Sequence, residues 1–394
     1  MENFIFHSPT KIIFGRNTES QAGDFCREYG ATKVLLHYGS GSVLRSGLLG
    51  RIKASLEAAG LAYVELGGVV PNPRLALVQE GIALCRRESV DFLLAVGGGS
   101  VIDSAKAIGY GVPYEGDVWA LFERKDEPRR SLPLGSVLTI AAAGSESSNS
   151  CVITNQDGWK KRGLGHELSR PRFAILNPEL TFSLPAYQTA CGCVDILMHT
   201  MERYFAPSKN HELTDRLSEG LLRTVLHNAR ILHEHPEDYN ARSEVMWAGS
   251  LSHNGLMACG VGGRGDWACH QLEHELSGMF DVAHGAGLAA VWGSWARYVY
   301  PKHVDRFCDF ATHVMGLPLD QQRPEQTALA GIEALEDFFR SIDMPVCIRD
   351  MHITLDDDQL DTLAYKCSYE GSRTIGDLEI LHQSDMRAIY QMAR

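Results

Sequence analysis

Along the first third of the chain, short apolar runs alternate with stretches in which apolar residues recur every three or four positions. Thr32–Tyr38 (TKVLLHY), Leu61–Leu66, Phe92–Val96 (FLLAV) and Leu134–Ile140 are of the first kind and read as strands. Val43–Ala59 and Pro73–Glu88 are of the second kind and read as helices, with Pro73 suited to a first helical turn. Strands alternating with helices imply right-handed crossovers and a mostly parallel sheet. The pattern changes near Leu184-Pro185. Beyond it the helical period dominates, in Ala186–Phe205, Leu213–His233, Ala241–Cys259, Asp266–Met279 and Pro324–Ile342. Two domains follow: an α/β domain over residues 1–184 and an all-helical domain over residues 185–394. At the N-terminus, Phe4–His7, a Ser-Pro turn and Lys11–Phe14 read as a hairpin. An isolated two-stranded hairpin is marginal, so this one is expected to pack on the sheet or on a second copy of the chain, as the shared edge of a homodimer.

Composition narrows the class. The chain has 394 residues, 44% apolar and 22% charged, enough for a large core without staples. No apolar run reaches the eighteen or so residues of a membrane helix, and MENFIFHSPTKIIFG does not read as a signal peptide. A net charge of −12 argues against nucleic acid as a partner, because phosphate binding needs a basic footprint. The ten cysteines, scattered from Cys26 to Cys367, read as free thiols of a reducing, cytoplasmic setting. Cys191 and Cys193 do not have CxxC spacing. The charged stretch Glu123–Arg130 reads as a solvated loop.

Two turns have nucleotide chemistry. Gly97-Gly98-Gly99-Ser100 lies between a buried strand and a helix, where α/β sheets bind ligands. Glycines let a backbone approach a pyrophosphate, and the helix N-terminus attracts its charge. The spacing is not G-x-G-x-x-G, so a plain flexible turn is the competing reading. Asp103 follows Ser100 by three, a capping-box pattern, and Lys106 lies one turn further, in reach of the same cleft. The second turn is Tyr38-Gly39-Ser40-Gly41-Ser42. It has no acidic residue for ribose hydroxyls, while Gly39, Ser40, Gly41, Ser42 and Arg45 offer amides, hydroxyls and a positive charge. That suits a 2′-phosphate, hence NADP(H) ahead of NAD(H); an ordinary turn with Ser42 as helix cap is the alternative.

In the helical half, Asp195 and His199 are four apart and share a helix face, as do His270 and His274. His284 follows between Ala283 and Gly285. Four of these residues could surround one metal with three imidazoles and a carboxylate, a set for Zn²⁺ or Fe²⁺ rather than a thiolate site. With sixteen histidines in the chain, chance pairs at this spacing are expected as well.

Together these motifs, with Thr10–Gly15 (TKIIFG), Pro71-Asn72-Pro73, GGGSVIDSAK at Gly97–Lys106, Gly144-Ser145-Glu146, VDILMHTME at Val194–Glu202 and HQLEHELSGMFDVAH at His270–His284, resemble the iron-containing (group III) alcohol dehydrogenase family over nearly the whole length. The nearest branch resembled is that of NADPH-dependent aldehyde reductases and butanol dehydrogenases, with its glycine- and serine-rich loop at Tyr38–Ser42. The resemblance implies a Rossmann-like N-terminal domain and an all-α C-terminal domain with the site in the cleft between them. It implies Asp195, His199, His270 and His284 as ligands of one Fe²⁺ or Zn²⁺. It implies Gly97, Gly98, Gly99 and Ser100 as the pyrophosphate loop, with Asp103 near the nicotinamide. Asn72, Thr139 and Lys160 would line the cofactor cleft, and Gly39 and Ser42 its adenosine-phosphate end. His274 matches a cleft histidine that is not a ligand. The chain departs from the family at Thr139–Glu146, which reads TIAAAGSE in place of TTAGTGSE and lacks hydroxyls at two positions, at Ala283 in place of a proline, and at Leu44 in place of a lysine, with Arg45 adjacent.

The implied activity is hydride transfer between NADP(H) and a small aldehyde or primary alcohol, in the direction of aldehyde reduction. His274 and Asp103 are the candidate catalytic side chains, His274 as a proton relay or as packing beside the metal. Trp159, Trp267 and Cys269 are candidate neighbours of the substrate. The rival readings are a dehydroquinate-synthase-like lyase that uses NAD transiently, a non-catalytic metal-binding protein of the same fold, and a metallohydrolase.

Overall fold

The computed structural model describes every residue of the chain except Ser40, Lys209 and Arg264. The residues gather into two compact units, one of His7–Leu184 and one of Met1–Phe6 with Pro185–Arg394.

The first unit runs β1 (Lys11–Phe14), α1 (Ala22–Glu28), β2 (Lys33–Gly39), α2 (Ser42–Arg45), α3 (Leu48–Ala58), β3 (Ala62–Val69) and α4 (Leu75–Glu88). It continues with β4 (Phe92–Gly97), α5 (Gly99–Gly111), α6 (Trp119–Phe122), β5 (Leu134–Leu138), β6 (Ser150–Asn155), β7 (Lys160–Gly165) and β8 (Phe173–Leu176). Six strands form one Rossmann-like sheet in the order β1-β8-β5-β4-β2-β3, and every neighbouring pair is parallel. β4 and β5 are buried at every residue, because helices cover both faces. Val34, Leu36, Phe92, Leu94, Val96, Phe173 and Ile175 face one side, where they pack on Ala22 and Cys26 of α1 and Ile52 and Leu56 of α3. Each such side chain, fully buried, contributes about 1.5–3 kcal/mol of transfer free energy.

The topology places the two glycine turns together. β2 has β3 on one side and β4 on the other, so strand order reverses there. Ligands of open α/β sheets bind outside the carboxyl ends of strands at such a point. Tyr38 of β2 pairs with Val96 of β4, so the turns at Gly39 and Gly97 leave adjacent strands at the same level.

Three sequence expectations change. The single helix expected over Val43–Ala59 is two, α2 and α3, broken at Gly47, whose φ of 70° is left-handed. The expected N-terminal hairpin does not form. β1 instead adds in parallel to β8 at the sheet edge, Lys11 opposite Phe173, and residues 4–7 are in no strand. The reason is register: Lys11–Phe14 finds a full parallel ladder on β8, which a short antiparallel partner cannot match. The third is a two-stranded antiparallel ribbon, β6 with β7, absent from the expected elements. β7 reads KKRGLG, whose two glycines and three cations hide any alternation.

The second unit holds α7 (Ala186–Tyr204), α8 (Glu212–Glu234), α9 (Tyr239–His253), α10 (Ala268–Phe280), α11 (His284–Val299), α12 (Val304–Asp309), α13 (Pro324–Ser341), α14 (Asp357–Cys367) and α15 (Gln383–Ala393). Among its described residues the only β pairing is an isolated bridge between Ile375 and Leu381. Glu2 is tied to this unit, its amide donating to the Gly260 carbonyl. α7 is its central helix, buried around nearly its whole circumference from Thr189 onward and packed on α8, α9 and α11. A helix apolar and buried on all sides can present polar groups only to partners inside the unit. No helix among the described residues is long and apolar enough to cross a membrane.

Candidate metal centre and nucleotide loops

Asp195 and His199 lie one turn apart in mid-α7, and both are buried. His270 sits in the first turn of α10 and His284 is the first residue of α11. Three elements thus aim four side chains at one point. His199 Nδ1 lies 3.0 Å, His270 Nε2 3.6 Å and His284 Nε2 3.8 Å from the same carboxylate oxygen, Asp195 Oδ1. A close approach of helices makes this possible. A Cβ on Gly285 would fall 2.1 Å from the Cys191 carbonyl oxygen, so only glycine lets α11 begin against α7, one turn before Asp195.

Each histidine has its Nδ1 occupied. His199 Nδ1 donates to the Asp195 backbone carbonyl at 2.9 Å, and His270 Nδ1 to Glu202 Oε1 at 2.8 Å. His284 Nδ1 donates to Glu273 Oε2. With the hydrogen on Nδ1, the free lone pair of each ring is on Nε2. Asp195 Oδ1 and His270 Nε2 are buried and have no hydrogen-bond partner. Orphaned buried polar atoms are rare and destabilising, each by about 1–3 kcal/mol. A divalent metal answers both, and three imidazoles with one carboxylate are a donor set for Zn²⁺ or Fe²⁺.

Electrostatics agree. Burial pushes His199 down to about 4, so it is neutral, as a ligand must be. Burial also works against a charged His270, but the nearby carboxylates of Asp195 and Glu202 outweigh it and hold it up at about 9. Burial would raise Asp195, yet His199 and His284 hold it well below the usual carboxylate range. Three carboxylates with one raised histidine make a pocket that favours positive charge. The neighbouring Cys269 thiol is pushed well above its ordinary value by burial, so it offers no thiolate to compete for metal.

His274 stands beside the cluster. Its ring centroid is 5.7 Å from that of His284, and it, Glu273 and His284 present ligand atoms within 4.8 Å of one another. Trp267 is close as well, its ring 5.1 Å from His270 and 5.8 Å from His199. Three neighbours escaped the sequence reading. Glu202 and Glu273 each sit three residues after a histidine, a spacing unremarkable in any helix. His253, at the end of α9, places its ring centroid 4.2 Å from that of His199 and gave no sequence signal.

In the first unit, α5 starts at Gly99 with Gly98 as its N-cap residue, so its first amides open at the end of β4. The Thr139 amide donates to the Gly97 carbonyl at 3.1 Å, which fixes the neighbouring turn against the glycine loop. Asp103 is not a cap. Its carboxylate accepts from Ser145 Oγ at 2.6 Å and the Val152 amide at 2.8 Å, bracing α5 on β6. Both oxygens are engaged, which opposes its reading as a catalytic side chain. Lys106 does not face a cleft. It is buried and donates to the carbonyls of Ser145, Ser148 and Ser150 at 2.7, 3.0 and 2.7 Å. Burial raises Asp103 and lowers Lys106, and each partly offsets the other.

Asn72 and Lys160 gather at the ribbon. Pro73 accepts from the Thr154 amide at 2.8 Å, and Asn155 pairs with Lys160. Asn72 holds a left-handed φ of 54°. Trp159 belongs to the same ribbon turn, with the Arg74 guanidinium 5.1 Å from its ring, in the first unit, whereas the candidate metal ligands belong to the second. At the end of β2, Gly41 is the N-cap residue of α2, in place of Ser42. A Cβ on Gly41 would lie 2.6 Å from Arg45 Nη1, so the guanidinium folds over the turn. Ser40 lies outside the described residues.

The iron-containing alcohol dehydrogenase model matches residues 9–178, and the C-terminal model of the Fe-containing alcohol dehydrogenase family matches residues 189–394. The probable NADH-dependent butanol dehydrogenase 1 of Bacillus subtilis is 40% identical, over 99% of this chain and 99% of its own. The NADPH-dependent aldehyde reductase YqhD of Escherichia coli is 33% identical over 100% of both. The crystal structure of NADH-dependent butanol dehydrogenase A from Thermotoga maritima superposes with a TM-score of 0.96 at 38% identity, covering 100% of this chain and 99% of that one.

The helix contact at Gly285 yields a test. Gly285→Ala should lower stability by about 1–3 kcal/mol, the usual cost of overpacking, and reduce the metal retained on purification. Unchanged thermal unfolding together with a full metal content would show that α7 and α11 do not need this contact.

Proposed function

The chain belongs to the iron-containing alcohol dehydrogenase family, and from that premise we propose a metal-dependent oxidoreductase that moves hydride between NADP(H) and a small aldehyde or primary alcohol, working as an aldehyde reductase. The observation that carries this reading is the convergence of three histidines on the orphaned Oδ1 of Asp195. Asp195, His199, His270 and His284 would hold one Fe²⁺ or Zn²⁺. Bound there, a divalent ion supplies Lewis-acid polarisation of a carbonyl oxygen, the form of catalysis that the developing alkoxide charge demands.

The protein's own residues do the rest. Gly97, Gly98, Gly99 and Ser100 cradle the cofactor pyrophosphate at the N-terminus of α5. Asn72, Thr139 and Lys160 line the remainder of the cofactor path. Asp103 and Lys106 hold the Ser145–Ser150 segment in place through the hydrogen bonds described above. His274, beside His284, is the residue placed to hold or pass the proton that the product oxygen takes up. Trp267 shields the ligand histidines from water on one side.

The cofactor preference rests on the turn after β2. It carries no carboxylate to take the ribose hydroxyls and to repel a 2′-phosphate, and Arg45 folds over Gly41. Related names divide, NADH in two of those given above and NADPH in the third; the turn's chemistry favours NADP(H). The assembly proposed is a homodimer through the N-terminal segment. Phe4, Ile5 and Phe6 are 50%, 97% and 44% exposed, and β1, a few residues further along the chain, forms one edge of the sheet. Exposed apolar side chains and open sheet edges are each surfaces that another chain covers.

Three outcomes are expected. With short aldehydes, NADPH absorbance falls, a strong chelator stops the fall, and His270→Ala abolishes metal binding and turnover while far-ultraviolet circular dichroism stays native. Turnover by metal-free enzyme would sink the mechanism, and binding without net absorbance change would favour the lyase. Arg45→Ala raises KM for NADPH about tenfold, the loss of one charged hydrogen bond, and leaves KM for NADH within about twofold; equal effects would remove the phosphate role. Deleting residues 1–8 converts a dimer to a monomer in sedimentation velocity, and a wild-type monomer would refute the dimer.

A further inference from the structure

Three different groups lock the three ligand histidines. The acceptor for His199 is its own helix backbone, and the acceptor for His270 is Glu202, which also takes the His270 amide at 3.1 Å. The acceptor for His284 lies on a neighbouring helix. His284 begins α11 instead of lying in mid-helix, and its side chain is 26% exposed, where those of His199 and His270 are 5% and 4%. Of the three rings it has the most room to turn. The group behind it is Glu273 of α10, fully buried, with Oε2 on His284 Nδ1 and Oε1 on the Ser277 hydroxyl. Space for this carboxylate is built into the neighbouring helix. A Cβ on Gly287 would lie 2.8 Å from Glu273 Cγ and 3.0 Å from its Oε1. Burying a carboxylate is costly unless it is hydrogen-bonded or paired, and here both oxygens are bonded, one of them to the His284 ring.

We propose that Glu273 is a positioning residue of the metal centre: it fixes the tautomer and orientation of His284, with Ser277 as its brace and Gly287 as its cradle. The proposal rests on the assignment of His284 as a metal ligand. A histidine whose outer nitrogen donates to a carboxylate is oriented and made more basic at its other nitrogen, and loss of such a partner weakens metal binding about 10–100-fold.

The alternative use of the same residues is a second ion held directly by Glu273, His274 and His284, whose ligand atoms lie within 4.8 Å of one another. That would need His284 Nδ1 stripped of its hydrogen, whereas in the present contact Nδ1 donates to the Glu273 carboxylate.

The experiment measures Zn²⁺ affinity of metal-depleted protein by competition with a chromogenic chelator, with the visible spectrum of the Co²⁺-loaded protein as a second readout. Glu273→Ala should bind Zn²⁺ about 10–100-fold more weakly and show altered Co²⁺ bands. Glu273→Gln, which keeps an acceptor oxygen, should fall between it and wild type. Gly287→Ala, which leaves every ligand and Glu273 in place, should shift affinity in the same direction by crowding the carboxylate off His284. Circular dichroism of the metal-free variants checks the fold, and if Glu273→Ala does not fold, the Gln and Gly287 variants make the comparison. Wild-type affinity and spectrum in these variants would overturn the proposal, as would two Zn²⁺ per chain falling to one in Glu273→Ala. His284→Ala separates the layers. If it keeps full affinity, the metal site itself is misassigned; if it loses the metal while Glu273→Ala does not, only the positioning role falls.

Discussion

A carboxylate oxygen buried without a hydrogen bond is the constraint around which the helical unit is arranged. Asp195 lies in the middle of α7, a helix covered on nearly every side, so water cannot satisfy Oδ1. Three histidines from α7, α10 and α11 converge on it, and none of them donates a hydrogen to it. The arrangement is unstable as a set of bare side chains and stable around a dication. Much else in the unit follows from holding it: a glycine where α11 meets α7, a tryptophan against two of the rings, and acceptors behind all three. Buried charge is tolerated here because it is compensated in place, and the compensation fixes geometry at the same time.

The first unit solves a different problem, that of holding a flexible glycine loop beside a sheet. The loop after β4 is pinned by Thr139, and the segment that follows β5 is pinned by two buried side chains of opposite charge. Lys106 gathers three backbone carbonyls of Ser145–Ser150 while Asp103 holds Ser145 and the start of β6. A lysine ammonium donates three hydrogen bonds and is costly to bury alone. Here its donors are satisfied by carbonyls and its charge by Asp103.

How much of this could be read from the chain depends on whether a feature is local. The long helices were legible because apolar spacing is a property of consecutive residues, and the observed ends of α7, α8 and α13 fall within a residue of the expected ones. The parallel sheet was legible for the same reason. What failed was pairing. Lys11–Phe14 was read as half of a hairpin because Phe4–His7 is near in sequence, whereas its partner β8 lies about 160 residues away. The β6–β7 ribbon was missed because its glycines and lysines erase the alternation. At the metal centre, Asp195–His199 and His270–His274 have equal spacing, so spacing could not tell them apart, and it was the family resemblance that set His274 outside the ligand set. Glu202 and Glu273 were invisible, since a glutamate three residues after a histidine is ordinary on any helix and becomes informative only when both are found buried.

That last point bears on what sets the strength of the centre. Ligand identity fixes which ions fit, but three imidazoles and one carboxylate are shared by sites of very different affinity. Here the supports differ from one ring to the next. His199 is held by a main-chain carbonyl that no substitution can remove, His270 by a glutamate that also grips its amide, and His284, at a helix end, by a glutamate of a neighbouring helix. Positional freedom therefore rises from His199 to His284. If any ligand yields when substrate enters or when the ion exchanges, the order of these supports makes it His284, and the residue that sets how readily it yields is Glu273.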